Sequence, residues 1–353
     1  QVDLLHGPIL KSLLLFALPI MASRVFQQIY NTMDTLIVGY TLGDSSIAAM
    51  GACSSIYEMM TGFTFGVGNG LAIVTARCFG RQETDRMKKS VASCIVIGVA
   101  VTLVVTILAT IFMHPLLRLL KTPAEILEES YSYISILSIF LFVMFAYNLC
   151  SGLLRAIGNS FMPLVFLIFS SLVNIVLDLL FVGVFRWGVW AAAFATTISQ
   201  TVSVVLCLSN LFSRKDEFRL SVKELKFDGA SLREIVRMGV PSGIQNSVIG
   251  LANVIVQSNI NSFGKVATAG YGSYAKLEGF AFLPINSFTM AMTTFVGQNL
   301  GAGKTERAKK GSRFGITTAV IMSPTFAPVS ASQTITTSLY HLPFASLLYC
   351  RRT

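Results

Sequence analysis

The chain has 353 residues, of which 53% are apolar and only 12% charged, and its mean hydropathy is +0.68. That balance excludes an ordinary soluble domain and marks a polytopic membrane protein. The net charge of +10 does not make it a nucleic-acid binder, because the lysines and arginines sit between hydrophobic runs and form no patch interleaved with aromatics.

The first predicted span, residues 12–38, opens SLLLFALPIMASRVFQQIYNTMDTLIVG, the stretch 12–39. As a helix this stretch reaches roughly 42 Å, enough to cross a hydrocarbon core of about 30 Å. Lys11 precedes it, but the run is too long for a signal peptide and no small-residue cleavage site follows, so it is expected to stay in the mature chain. Arg24, Gln27, Gln28, Asn31 and Asp34 form one polar stripe down a single helix face. Such a stripe is either a lumen-facing functional surface or a buried polar seam between packed helices; an unpaired charge facing lipid would be costly. Pro19 removes the hydrogen bond to the carbonyl of Leu15 and permits a hinge in this helix.

Further spans are predicted at 46–76, 90–113, 130–154, 161–184, 188–212, 235–262 and 267–298, with a ninth starting near Gly311. With alternating connections, nineteen cations fall on the side of Lys11, and only Arg118, Lys121, Arg186 and Lys265 on the other. By the positive-inside rule the N-terminus is cytoplasmic. Glycines at 62, 66 and 70 read as a surface for close helix packing.

The chain repeats itself. At a shift of 221 residues GRQETDRMKK, from Gly80, aligns with GAGKTERAKK, from Gly301, and at 222 Pro19 meets Pro241. Six spans separate the copies, so they enter the membrane in the same direction, as a parallel repeat. The expected fold is an all-α membrane bundle of two pseudo-symmetric lobes: an N-lobe over 1–212, a cytoplasmic linker over 213–234 and a partial C-lobe over 235–323. After Ser323 the chain turns rich in Pro, Ser and Thr, and 324–353 reads as an atypical tail from a truncation or frameshift, with a soluble tail as the alternative.

The six cysteines show no C-x-x-C spacing and read as small buried hydrophobes, and His6, His114 and His341 are scattered. No nucleophile elbow, Walker loop or HExxH helix occurs, so nothing argues for an enzyme. Four acids fall within spans: Asp34, Glu58, Asp178 and Glu278. Asp34 and Asp178 are expected at similar depth, and Asn174 lies one turn from Asp178 on the same helix face. Desolvation favours the neutral form of a carboxyl and a bound cation its charged form, so a cavity that opens and closes around two such groups can load and release H+ or Na+. Pairing with an arginine, or a helix-end cap, is the structural alternative. Gln245, Asn246, Asn253 and Gln257 repeat the polar stripe in the second copy without a carboxylate, and Glu278 is expected in a central cleft.

The segments LPIMASRVFQQIYNTMDTLIVGYTLG, GLLRAIGNSFMP, NIVLD, MGVPSGIQN and VGQNLGAGKTERAKK resemble the multidrug and toxic compound extrusion (MATE) transporters of the multidrug/oligosaccharidyl-lipid/polysaccharide flippase superfamily, DinF-type branch, over residues 5 to about 322. The resemblance implies two six-helix lobes in a V and export of drugs or metabolites, amphipathic or cationic, against inward H+ or Na+ flow. It implies coupling at Asp34, Asp178 and Asn174, with Asn148 and Thr196 as further members of the polar cluster, and a substrate path along Gln27, Gln28, Asn31, Glu58, Gln245, Asn246 and Glu278. It further implies a monomer among membrane lipids in a bacterial plasma membrane, with no cofactor beyond the coupling ion. Two other functions compete: a lipid-linked saccharide flippase, whose central cavity would be more basic, and a fragment that does not transport.

Overall fold

The computed structural model describes residues 2–119, 122–214, 218–220, 226–261 and 265–326, with the side chains at 55, 63, 119, 254, 257–258, 261, 265–281 and 319–326 excepted. Among the described residues ten α-helices run in order: α1 Ile9–Leu42, α2 Asp44–Arg81, α3 Thr84–Leu119, α4 Leu127–Ile139, α5 Leu141–Ala156, α6 Phe161–Asp178, α7 Val189–Phe212, α8 Gly229–Asn261, α9 Lys265–Gly301 and α10 Thr305–Phe326. Among the described residues α1, α2, α3, α7 and α6 with its continuation are long and apolar enough to cross a membrane. The α4–α5 pair makes a sixth span if it is counted as one bent helix.

That pair departs from the unbroken span expected over 130–154: it bends by 48° around Phe140. The break has a cause outside the local sequence. The hydroxyl of Thr106, from α3, donates to the Ser138 carbonyl at 2.8 Å and intrudes on the helical ladder there. Helices α8 and α9 reach 33 and 37 residues. Much of α8's length is spent against protein: α2 packs on α8 more extensively than any other described pair.

The α2–α8 crossing depends on missing side chains. A Cβ on Gly66 would land on the backbone of Gly243, and one on Gly70 would lie 2.7 Å from the Cα of Gly239. Only two bare backbones can approach this closely. Further along α2 the same face passes through Glu58, Ser54 and Gly51, and there it is exposed. On α8 the matching face is exposed at Asn253. The helices therefore touch through one half of their length and part in the other, as the arms of a V.

The closed half of the V is the end that carries the basic loops. Glu234 of α8 pairs with Arg86 at 2.9 Å and Arg77 at 3.6 Å. The segment before α1 is pinned to the α9–α10 connection, with Asn299 donating to the Leu4 carbonyl at 3.1 Å and Arg307 to that of Gly7 at 2.8 Å. The far end carries an aromatic cluster of Phe181, Phe185, Trp187, Trp190 and Phe194, in which Trp187 and Trp190 stack with centroids 5.8 Å apart. Such rings suit a membrane–water boundary.

Candidate functional site

Helix α1 divides its circumference between two environments. Leu18, Phe26, Ile29, Met33, Leu36 and Tyr40 are exposed along one face, and the stripe from Arg24 to Asp34 lies on the opposite one. Asp34, 6% exposed, turns into the contact with α6 and α7. Asn174 and Asp178, one turn apart on the buried face of α6, are 1% and 0% exposed.

Asp34 and Asp178 bring their carboxyl groups together. The Thr196 hydroxyl of α7 joins the cluster: it donates to Asp34 Oδ2 at 3.4 Å and accepts from Asn174 Nδ2 at 3.5 Å. Donors end there. Asp34 Oδ1, both oxygens of Asp178 and Asn174 Oδ1 are buried without a hydrogen-bond partner. Buried polar atoms are nearly always satisfied, so four acceptor oxygens in one cluster are an unusual concentration of unmet lone pairs. Two ionised carboxyls cannot rest against each other in a dry setting; the arrangement requires a proton or a hard cation among the oxygens.

Directly after Asp178 the α6 helix widens into a π-helical stretch, Leu179–Val184, packed against α1. Single π turns concentrate at functional positions, where they re-aim neighbouring side chains. Tyr30 and Tyr133 stand within electrostatic reach of Asp34.

The other expected site residues are dispersed. Asn148 is not in the cluster: its amide donates to the Met144 carbonyl at 3.0 Å, and its side chain lines a separate cavity with Arg24 and Gln27. Gln27 accepts from Arg24 Nη1 at 3.2 Å. Gln28 is half-buried, and Asn31 and Glu58 are exposed, Glu58 where Gly250 of α8 still approaches the α2 backbone. Asn246 packs over Gly62 in the seam, whereas Gln245 lies exposed off it. The side chain of Glu278 is outside the described residues. Helix α1 continues through half-buried Pro19, whose carbonyl accepts from the Ser23 hydroxyl at 2.8 Å.

Sequence reading missed Tyr133, the π-helical stretch and the part played by Arg155, which lines the second cavity. Arg155 carried a detectable signal, a cation closing an apolar run with no acid nearby. The π stretch carried none.

A bundle of apolar helices holding an occluded acid pair has the architecture of a membrane transporter. The MatE family model matches residues 19–180 and 241–339, so the chain belongs to the MATE transporters. The two matched stretches begin at Pro19 and Pro241, the pair that the internal repeat aligns, and the second runs beyond the expected boundary at Ser323. The chain is 30% identical over 313 residues to "Probable multidrug resistance protein YoeA" of Bacillus subtilis, covering 87% of this chain and 68% of that one. It is 23% identical over 319 residues to "Multidrug export protein MepA" of Staphylococcus aureus, covering 90% and 69%. A crystal structure of a MATE transporter in a bent conformation superimposes with a TM-score of 0.83 at 22% identity, covering 97% of this chain and 78% of that one.

Proposed function

We propose that this chain is a cation-coupled exporter of small amphipathic or cationic organic molecules, in which Asp34 and Asp178, backed by Asn174 and Thr196, hold the coupling H+ or Na+. The observation that carries this reading is the set of four buried acceptor oxygens with no donor. An ion entering there cancels the mutual repulsion of the two carboxyls; losing it restores that repulsion and favours a different helix packing. The basic end, where α2 and α8 close, faces the cytoplasm by the positive-inside rule, so the V opens outward and the ion arrives from outside. Gln28, Asn31 and Glu58 border the substrate's route, and Pro19 is the hinge that lets α1 bend as the acid pair loads.

The test is transport of a fluorescent cationic dye in proteoliposomes under an imposed pH or Na+ gradient. Asp34→Asn and Asp178→Asn are each expected to lower gradient-driven efflux at least tenfold, to the level without a gradient. Undiminished gradient-driven efflux in both variants would remove the acid pair from the mechanism.

A further inference from the structure

A second polar cavity lies toward the basic end, between α1, α5, the start of α6 and Met290 of α9. Its charge is opposite to that of the acid cluster. Arg24 and Arg155 both line it and stand near enough to repel each other. The bonds they make among the described residues are to neutral groups: Arg24 to Gln27 Oε1 at 3.2 Å and Met290 Sδ at 3.5 Å and over the Phe65 ring at 5.5 Å, Arg155 to Ser151 Oγ at 3.2 Å. Among the described residues no carboxylate lines the cavity. Two half-buried guanidiniums without a counter-charge are costly unless something supplies one.

Two further features point to what does. Ser160 Oγ, in a residue 3% exposed, opens onto the cavity and has no hydrogen-bond partner. Ser160 also immediately precedes α6, an 18-residue helix with no acid in its first turn, so the positive end of that helix borders the same volume. The cavity measures about 40 Å³. A single water needs roughly 10–15 Å³ and drug-sized ligands about 300–1,000 Å³. It therefore suits a compact group of a few heavy atoms and is too small for an exported drug.

We propose that this cavity is a binding site for a single oxyanion group, phosphate or carboxylate, held by Arg24 and Arg155 and capped by the Ser160 hydroxyl. Guanidinium forks match the geometry of either group. The group can arrive free in solution or as the head of an anionic lipid entering between the helices.

The test is thermal unfolding of the purified protein, titrated with inorganic phosphate in neutral-lipid nanodiscs and, separately, in nanodiscs containing phosphatidylglycerol without phosphate. Phosphate also stabilises proteins generally by exclusion from their surface, so the site-specific part is the saturable difference between wild type and variants. Arg155→Gln is expected to abolish the saturable shift that wild type shows. Gln27→Glu, nearly isosteric, places a carboxylate against Arg24 and is expected to weaken binding at least tenfold while the variant still folds. A saturable shift with phosphate alone identifies a soluble anion, and one with phosphatidylglycerol alone identifies a lipid head; either supports the site. No saturable shift in either arm, or an equal shift in wild type and both variants, would overturn it. Asp34→Asn keeps the oxyanion shift under this proposal, so failure of the ion-coupling reading and failure of this one are read separately.

Discussion

The glycine seam between α2 and α8 makes a graded, signed prediction. A Cβ on Gly70 would stand 2.7 Å from the Cα and N of Gly239 and 2.9 Å from the carbonyl oxygen of Ile235. Ordinary contact is about 3.5–4.0 Å, and backbone atoms cannot rotate away, so α8 must retreat by roughly 1 Å. Overpacking of this kind costs about 1–3 kcal/mol, against a gain of up to about 1 kcal/mol in helix propensity from Gly to Ala. Gly70→Ala is therefore expected to lose about 1–2 kcal/mol. At Gly62 the Cβ would meet Asn246 Cβ at 3.2 Å and the Asn246 carbonyl carbon at 3.4 Å, so α8 need give only by a few tenths of an ångström, and the two effects nearly cancel. At Gly51, on the open part of the same face, nothing lies within 4 Å, so Gly51→Ala gains about 0.5–1 kcal/mol. Unfolding temperatures of the three variants in one detergent at one scan rate should rank Gly51→Ala first, Gly62→Ala near wild type and Gly70→Ala last. A Gly70→Ala protein as stable as Gly51→Ala would refute the bare-backbone contact and, with it, the closed half of the V.

Two more perturbations have outcomes that stability and transport report with opposite signs. Asp178→Asn replaces a carboxyl that meets no donor with an amide that can donate to the unmet oxygens of Asp34 and Asn174; satisfying buried groups of this kind is worth about 1–3 kcal/mol, so the melting temperature should rise while gradient-driven efflux is lost, and a fall in melting temperature would contradict the donor-free description. Pro19→Ala returns a backbone N–H to the middle of α1, where proline costs about 3 kcal/mol relative to alanine in a helix interior, so the variant should melt no lower than wild type yet exchange conformations and transport more slowly; unchanged transport would remove Pro19 as the hinge.

The sequence made the membrane bundle, the repeat and the packing glycines readable because each rests on a period or a length that local chemistry enforces: apolar runs long enough for a bilayer, a shared basic decapeptide, small residues four apart. Asp34 and Asn174 with Asp178 could be nominated because charge and amides are rare inside apolar runs. Their meeting could not, since it depends on how α1, α6 and α7 stack. Asn148 shows the same limit from the other side: its type suited the acid cluster, but α5 turns it to the basic cavity. The bend at Phe140 was unreadable because its cause, Thr106, lies on another helix. Arg155 was overlooked because a cation at the end of a span is ordinarily explained by topology alone.

The two sites on α1 are of opposite sign and are therefore energetically linked. Arg24 and Asp34 are ten residues apart on one helix face, about 15 Å at the helical rise. At an effective dielectric of about 20, unit charges at that separation interact by about 1.1 kcal/mol. An oxyanion near Arg24 is repelled by an ionised Asp34 to about this extent, and a cation loaded on Asp34 is favoured by the bound oxyanion by the same amount, because linkage is reciprocal. Asp34→Asn deletes the charge permanently and should tighten phosphate binding about sixfold in the thermal titration. Equal or weaker binding in that variant would show that the two sites do not share a field, and the cavity at the basic end would then have to be understood without reference to the acid pair.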